Sequence, residues 1–423
     1  MQRALAYALS PAPGASLRFL LTAPWFALLA ALLLLWAGDQ AFVSRWSAPT
    51  LGATHLLTLG YLSMAMAGAM LQLIPVVTGT ALAPARGSVV TAWAGLGLGA
   101  LLLAFALTRN TTPLFLPAAL LLAASFTIIM VPIGRALARP ATPAAMPMVR
   151  GMRVAVGGLV VTVGLGAALT LHLSGRASLP VISLTNLHAA WGLVGWVAML
   201  VVCVAYQVIP MFQSSKTYPA PVTRWAVWLL AGLLAAWSAA SMGWPGYAGV
   251  AGVLVAATLA AFAGLTAWLL TKRKRKDTDP TTLYWRLSLA SLCASALLYL
   301  LPHGDTVALA TGVMFVGGFA MGAVNGMLYK IVPFLLWYHM QQDPRASKAN
   351  VLPIRTILPD ERGRRQFWWH AAALLALMGA VAWPGWLARP AALLLAIASL
   401  QLALDLSGAA LRARRAQAQF QPS

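Results

Sequence analysis

The chain has six histidines, His55, His172, His188, His303, His339 and His370, and each lies within or beside a long apolar run. Imidazole readily ligates iron, copper or zinc and carries protons near neutral pH. Inside an apolar segment it is costly without a hydrogen bond or a metal, so its presence there points to chemistry. His55 and His188 share their sequel. One run closes on Gln72-Leu-Ile-Pro75 and the other on Gln207-Val-Ile-Pro210, 20 and 22 residues beyond the histidine. This pair is read as ligands, against the plainer alternative of neutral rings bonded to a nearby hydroxyl or carbonyl. His172 and His303 are expected near the outer surface as interfacial residues. His339 and His370, beside Trp337, Tyr338, Trp368 and Trp369, are expected in an interfacial aromatic belt.

Other reactive groups are sparse. Among the sixteen methionines, Met64, Met66 and Met70 share one run and Met314, Met321 and Met327 another. Packing accounts for most of them, although a thioether also ligates haem iron or Cu(I). Met314 draws interest because it stands two residues after Gly312. Of the eight acids, Asp405 alone lies inside an apolar run, towards its end. Ion-coupled transport through midplane carboxylates therefore lacks its residues. The chain has no Walker sequence and no His-Glu-x-x-His. Cys203 and Cys293 sit in separate apolar runs, which excludes a disulfide framework or thiolate cluster.

The elements that must position these residues follow from composition. Of 423 residues, 61% are hydrophobic and 9% are charged, far from the roughly 25% charged of a soluble domain. Apolar runs fall near 17–37, 51–77, 88–107, 113–134, 153–173, 183–212, 225–243, 247–270, 284–302, 306–338, 367–386 and 390–411. Each is long enough to cross a bilayer as a helix, and 306–338 is too long for one perpendicular crossing. The expectation is an all-α polytopic membrane protein of twelve transmembrane helices, whose first run is retained because it lacks a cleavable signal's features. With the N-terminus inside, 25 of the 29 Lys and Arg fall on the cytoplasmic side, and Arg45, Arg109, Arg176 and Arg389 on the other. Both termini are thus expected in the cytoplasm. The net charge of +21 reads as topology anchors and contacts to anionic lipid at the cytoplasmic face, not as nucleic-acid binding.

A third copy of the pattern runs from Ala310-Thr311-Gly312 to Lys330-Ile-Val-Pro333, with 21 residues from Gly312 to Pro333. Runs two, six and ten thus share an ending, and the chain is read as one membrane domain, 1–423, of three four-helix repeats near 17–137, 150–271 and 284–411. Each proline kinks or ends its helix, and the Gln or Lys before it satisfies freed carbonyls or snorkels. The polar segment 339–366 is the longest loop, read equally as a cytoplasmic docking surface or a connector.

Twelve helices in three units, with His55 and His188 near the outer ends of runs two and six, resemble subunit I of the haem-copper oxidase superfamily. The NnrS-like twelve-span haem proteins, tied to nitric oxide tolerance, look closer still. The resemblance implies a bacterial inner membrane location. It matches His55 to a low-spin haem ligand and His188 to an active-site copper ligand. The departures are large: Gly312-Val-Met314 replaces the family's His-x-His, Gly192 replaces a tyrosine, run seven lacks a histidine pair, and active-site glutamates are missing from these runs. Ordinary oxygen reduction is therefore not expected.

Haem b held through His55, with His188, Met314 or nothing as second ligand, is the leading expectation. It would serve binding of nitric oxide or another gas, or electron transfer with a redox partner or membrane complex. Two alternatives differ in class. In a copper handling or transport protein, His172, His188 and His303 would receive the ion and methionines would pass Cu(I) inward. In a cofactor-free structural subunit, the fold alone would serve a partner.

Overall fold

The computed structural model describes residues 13–82, 86–274, 277–302, 304–343, 346 and 351–419, and no strand occurs among them. The long helices in chain order are α1 (Pro13–Ala37), α2 (Ala48–Thr78), α3 (Arg86–Arg109), α4 (Phe115–Ala138), α5 (Met146–Leu173) and α6 (Val181–Gln213). There follow α7 (Ala220–Gly243), α8 (Pro245–Thr271), α9 (Pro280–Leu298), α10 (Asp305–Gln341), α11 (Asp360–Ala382) and α12 (Pro384–Ala418). Ten of these are long and apolar enough to cross a membrane. The two that fall short are α9 and α11, where crossings were expected over 284–302 and 367–386. The reason is polar content: α9 carries Thr281, Thr282, Arg286, Ser288, Ser291 and Ser295, and α11 opens Asp360-Glu-Arg-Gly-Arg-Arg365. The α9 hydroxyls are buried, whereas Arg286 and most of the charged opening of α11 are exposed.

The helices α2, α6 and α10 share an uncommon construction. Each begins as an α-helix, widens into an eight-residue π segment and returns to α. The π segments are Leu56–Ser63, directly after His55; Trp191–Ala198, three residues after His188; and Val313–Ala320, directly after Gly312. A π turn is seldom stable alone and concentrates at functional sites. Here glycine admits a neighbour against each wide turn. A Cβ on Gly60 would strike Phe26 of α1, Gly195 lies against Gly158 of α5, and a Cβ on Gly318 would strike Ser291 of α9. On α10 the spacing Gly318, Gly322, Gly326 forms a small-residue stripe facing Ser291, Ser288 and Tyr284 of α9. Such stripes let helices approach closely where no hydrophobic drive operates between them.

At the other end, Pro75, Pro210 and Pro333 lie inside helices. The α2 helix continues three residues past its proline and closes at Gly79 in the left-handed conformation. The α6 helix ends likewise, with Ser214 left-handed at φ 49°. The α10 helix runs on to Gln341. Its 37 residues span about 55 Å, far beyond a hydrocarbon core of about 30 Å, so it tilts or projects as its length requires. Within 339–366, α10 and α11 extend inward from both ends, and a short helix, Ile354–Ile357, lies between them. Its Ile357 is fully buried, and the Ile357 carbonyl accepts from Arg412 Nε at 2.9 Å. That part of the segment is therefore packed onto α12.

Candidate functional site

His55 closes the first segment of α2, and His188 lies on the first segment of α6. Their rings come together, with centroids 6.2 Å apart and planes inclined by 15°. The His55 Nδ1–H donates to the Leu51 carbonyl one turn back at 2.8 Å. The His188 Nδ1–H donates to the Thr162 carbonyl of α5 at 3.0 Å. A carbonyl only accepts, so both Nδ1 atoms carry protons and each neutral ring keeps an Nε2 lone pair. A backbone bond that fixes the tautomer and aims the other nitrogen is the usual support of a ligating histidine.

Ring pairs in ordinary packing have centroids about 4.5–7 Å apart, a range that includes this pair. At 6.2 Å the two rings are near enough for their Nε2 atoms to serve one ion of about 2 Å bond length if those atoms point towards each other. Both histidines are half-buried. Close to His188, Gly166 leaves room that a side chain would fill, for a Cβ there would stand 3.1 Å from the ring Cε1. At Gly312, the corresponding place on α10, a Cβ would meet nothing within 4 Å.

Above the pair, polar contacts tie the beginnings of α2, α6 and α10 together. Arg45 Nη2 donates to Asn186 Oδ1 at 2.8 Å, and Ser44 Oγ donates to Asp305 Oδ1 at 2.7 Å. The Arg45 guanidinium also stacks on Trp46, 4.4 Å from the ring centre. Burial lowers the Arg45 pKa, and the charge of Asp305 works in the opposite direction.

The remaining expected ligands are not gathered into this site. His172 ends α5 and accepts from the Leu179 amide at 3.2 Å. His303 lies outside the described residues, and among the described residues no three His, Cys, Asp or Glu form a metal-binding group. Met314 is half-buried on the π segment of α10. His339 is half-buried, with its ring 5.5 Å from Tyr338.

His370 departs from expectation. Its neighbours Trp368 and Trp369 are exposed, yet His370 itself is only 2% exposed and belongs to a buried polar cluster. There the Tyr61 hydroxyl donates to Asn325 Oδ1 at 2.5 Å, and Asn325 Nδ2 faces His370 Nδ1 at 3.4 Å. Tyr284 donates to Gln366 Oε1, whose Nε2 donates to the Ala398 carbonyl at 3.1 Å. The aromatic context suggested a belt, but the spacing Gln366, His370 places both on one buried face of α11, while the exposed Arg362 one turn earlier reaches Asp405. That four-residue period was the available signal.

Towards the proline end, Asp405 accepts from Arg362 at 3.0 Å and from the Tyr329 hydroxyl at 2.9 Å. Lys330 does not merely snorkel, for its Nζ lies 2.8 Å from Asp279 Oδ2. Asp279 caps α9 and accepts from the Thr282 amide at 2.9 Å and the Thr282 hydroxyl at 2.8 Å. Burial alone would raise its pKa, but Lys330 and Thr282 together outweigh it and hold the carboxyl below its ordinary value. Gln72, the counterpart of Lys330 on α2, accepts from the Ser16 hydroxyl at 3.4 Å.

No family model matches the chain, and no curated protein matches it. Among solved structures it is similar to a heme-copper terminal oxidase dimer studied by cryo-EM. The likeness has a TM-score of 0.57 at 13% identity, over 97% of this chain and 85% of that one. The fold is thus that of a polytopic membrane protein of haem-copper-oxidase-like form, and at this identity the likeness speaks for the fold alone.

Proposed function

We propose that this chain is a haem b-binding membrane protein in which His55 and His188 ligate one iron and which serves electron transfer. One observation carries the reading: two imidazoles 6.2 Å apart, each anchored through Nδ1 to a backbone carbonyl and each with Nε2 left as a donor. Two neutral imidazoles whose Nδ1 atoms are anchored to carbonyls are a ligand set suited to haem iron. Bound there, haem would supply a one-electron couple. Two protein ligands on one iron favour electron transfer, whereas a vacant position would favour binding of nitric oxide or another gas. Thr162 and Leu51 orient the rings, and the Arg45–Asn186 and Ser44–Asp305 contacts hold the surrounding helix ends in register. The proposal places the chain in the bacterial inner membrane with twelve crossings in three units, both termini in the cytoplasm and a redox partner at one face. The three π segments, each set against a first helix of its unit, support that division.

The test is an oxidised and dithionite-reduced visible spectrum of purified protein, with iron and copper quantified on the same sample. A Soret band with near one iron per chain, lost in His55→Ala, is the expected result. A colourless, iron-free protein from haem-supplied cells would overturn it. Copper without a Soret band would favour the second reading, a copper-handling protein, because two imidazoles suit that ion equally.

A further inference from the structure

The two histidines are held by different means, and neither bond fixes α2 against α6. His188 is tied to Thr162 of α5, and His55 to Leu51 of its own helix. The rotation that brings the rings together is therefore set elsewhere, and matched positions of the two repeats show where. Eight residues after His55 comes Ser63, the last residue of the α2 π segment. Eight residues after His188 comes Trp196, within the α6 π segment. The Trp196 Nε1–H donates to Ser63 Oγ at 3.2 Å, and both residues are buried. In the third repeat the same step from Gly312 reaches Ala320, whose side chain has no polar group.

The surroundings make Trp196 a fixed post. Gly195 lies against Gly158 of α5, and Trp191 Nε1–H, at the opening of the α6 segment, donates to Ser238 Oγ of α7 at 3.0 Å. The α6 segment is thereby anchored within its own unit, and the α2 segment reaches it through Ser63. Tyr61 ties the same α2 segment to α10 through Asn325. A wide turn is seldom stable alone, so the segment that follows His55 gains from a bond at its far end. Rotation is also a sensitive variable. A side chain reaches about 5–6 Å from a helix axis, so turning α2 by roughly 10° moves a ring nitrogen about 1 Å. Metal–ligand distances hold within about ±0.2 Å.

We propose that Trp196 and Ser63 are positioning residues whose bond sets the rotation at which His55 and His188 meet, an inference that rests on the reading of that pair as ligands of one ion. The competing role is stability alone. A buried bond that joins other helices, from Thr281 Oγ1 of α9 to the Gly326 carbonyl of α10 at 3.0 Å, provides the comparison.

The test compares the full-length parent with Trp196→Phe, which keeps an aromatic ring and removes the donor, with Ser63→Ala, which removes the acceptor, and with the double variant. Two readouts are taken: the low-spin ferric electron paramagnetic resonance signal, which follows the relative orientation of two axial imidazoles, and the affinity of the reduced haem for carbon monoxide. Each single variant should shift the signal and raise that affinity about threefold to tenfold, the worth of one interhelical hydrogen bond in a membrane. The double variant should go no further, because both changes remove the same bond. Thr281→Val should lower the melting midpoint and leave both readouts at parent values. Haem at one per chain with parent readouts in both single variants would overturn the proposal. Effects that add in the double variant, or that Thr281→Val reproduces, would do the same. Haem-free parent protein is titrated with Cu(II), whose resonance counts its nitrogen ligands. Two imidazoles in the parent and weaker affinity in the variants by the same factor would sustain the positioning role while removing the haem reading. One imidazole, or equal affinity in parent and variants, would sink the positioning role. A parent that takes up neither ion overturns both.

Discussion

Gly166 offers a way to move His188 without altering its chemistry. An alanine Cβ there would stand 3.1 Å from His188 Cε1, where ordinary contact begins at 3.4 Å, so the imidazole gives way by about 0.3 Å. Were His188 to hold the haem iron as proposed, a shift of that size would exceed the roughly ±0.2 Å within which metal–ligand distances hold. It also loosens the 3.0 Å bond from Nδ1 to Thr162 that orients the ring. Gly166→Ala should therefore weaken one axial ligand, and Gly166→Val should weaken it further. The assay is the reduced visible spectrum with and without carbon monoxide. The parent should bind little carbon monoxide, Gly166→Ala a measurable fraction, Gly166→Val more, and His188→Ala nearly one per iron. An unchanged spectrum in both Gly166→Val and His188→Ala, with haem still lost in His55→Ala, would refute His188 as a ligand.

Removing either member of the Lys330–Asp279 pair should have unequal effects. Lys330→Met strands a carboxylate with 4% side-chain exposure, at about 3–5 kcal/mol, whereas Asp279→Asn leaves a lysine at 23% exposure that can reach water, at about 1–2 kcal/mol, as melting midpoints in detergent would show. Because the folded Asp279 pKa is depressed, its stabilisation is present above the ordinary carboxylate pKa and is lost as pH falls through the folded value. An acid titration of the melting midpoint should show a shallower low-pH decline in Asp279→Asn. In the buried cluster, Asn325→Leu removes partners from Tyr61 and His370 and should cost about 1–3 kcal/mol, more than Tyr61→Phe in the same assay. Gly326→Val should lower the melting midpoint because even its Cβ would press on Tyr284, while Gly312→Ala, with nothing within 4 Å, should leave it unchanged.

Much of this fold was legible because its signals are long. A run of twenty apolar residues announces a helix whatever it packs against, and ten of the twelve expected runs emerge as helices able to cross. The run at 284–302 is harder to read, because its serines and threonines lose their meaning as surface residues once α10 glycines cover them. The repeat at His55, His188 and Gly312 could be seen in the spacing to the prolines. That the two rings face each other could not, since it depends on the relative rotation of α2 and α6. The π segments were equally hidden, for nothing in Leu56-Leu-Thr-Leu-Gly60 distinguishes a wide turn from an ordinary one. His370 shows the reverse error, where tryptophans on one face of α11 disguised a polar column on another.

Each π segment also acts as a phase shift along its helix. A turn closed from residue i to i+5 takes in one residue more than an α turn, and one residue corresponds to about 100° of rotation. The half of α2 that carries His55 is therefore indexed differently from the half that carries Met66 and Pro75. Loss of a single residue between 56 and 63 would let the helix continue as ordinary α. Because the wide turn absorbs that extra residue, both flanks would stay close to their present rotation, whereas a deletion in an ordinary α stretch would turn the imidazole by about 100° relative to the proline end. Each eight-residue window is consequently the place where its helix can lose one residue with the least turn of one half against the other.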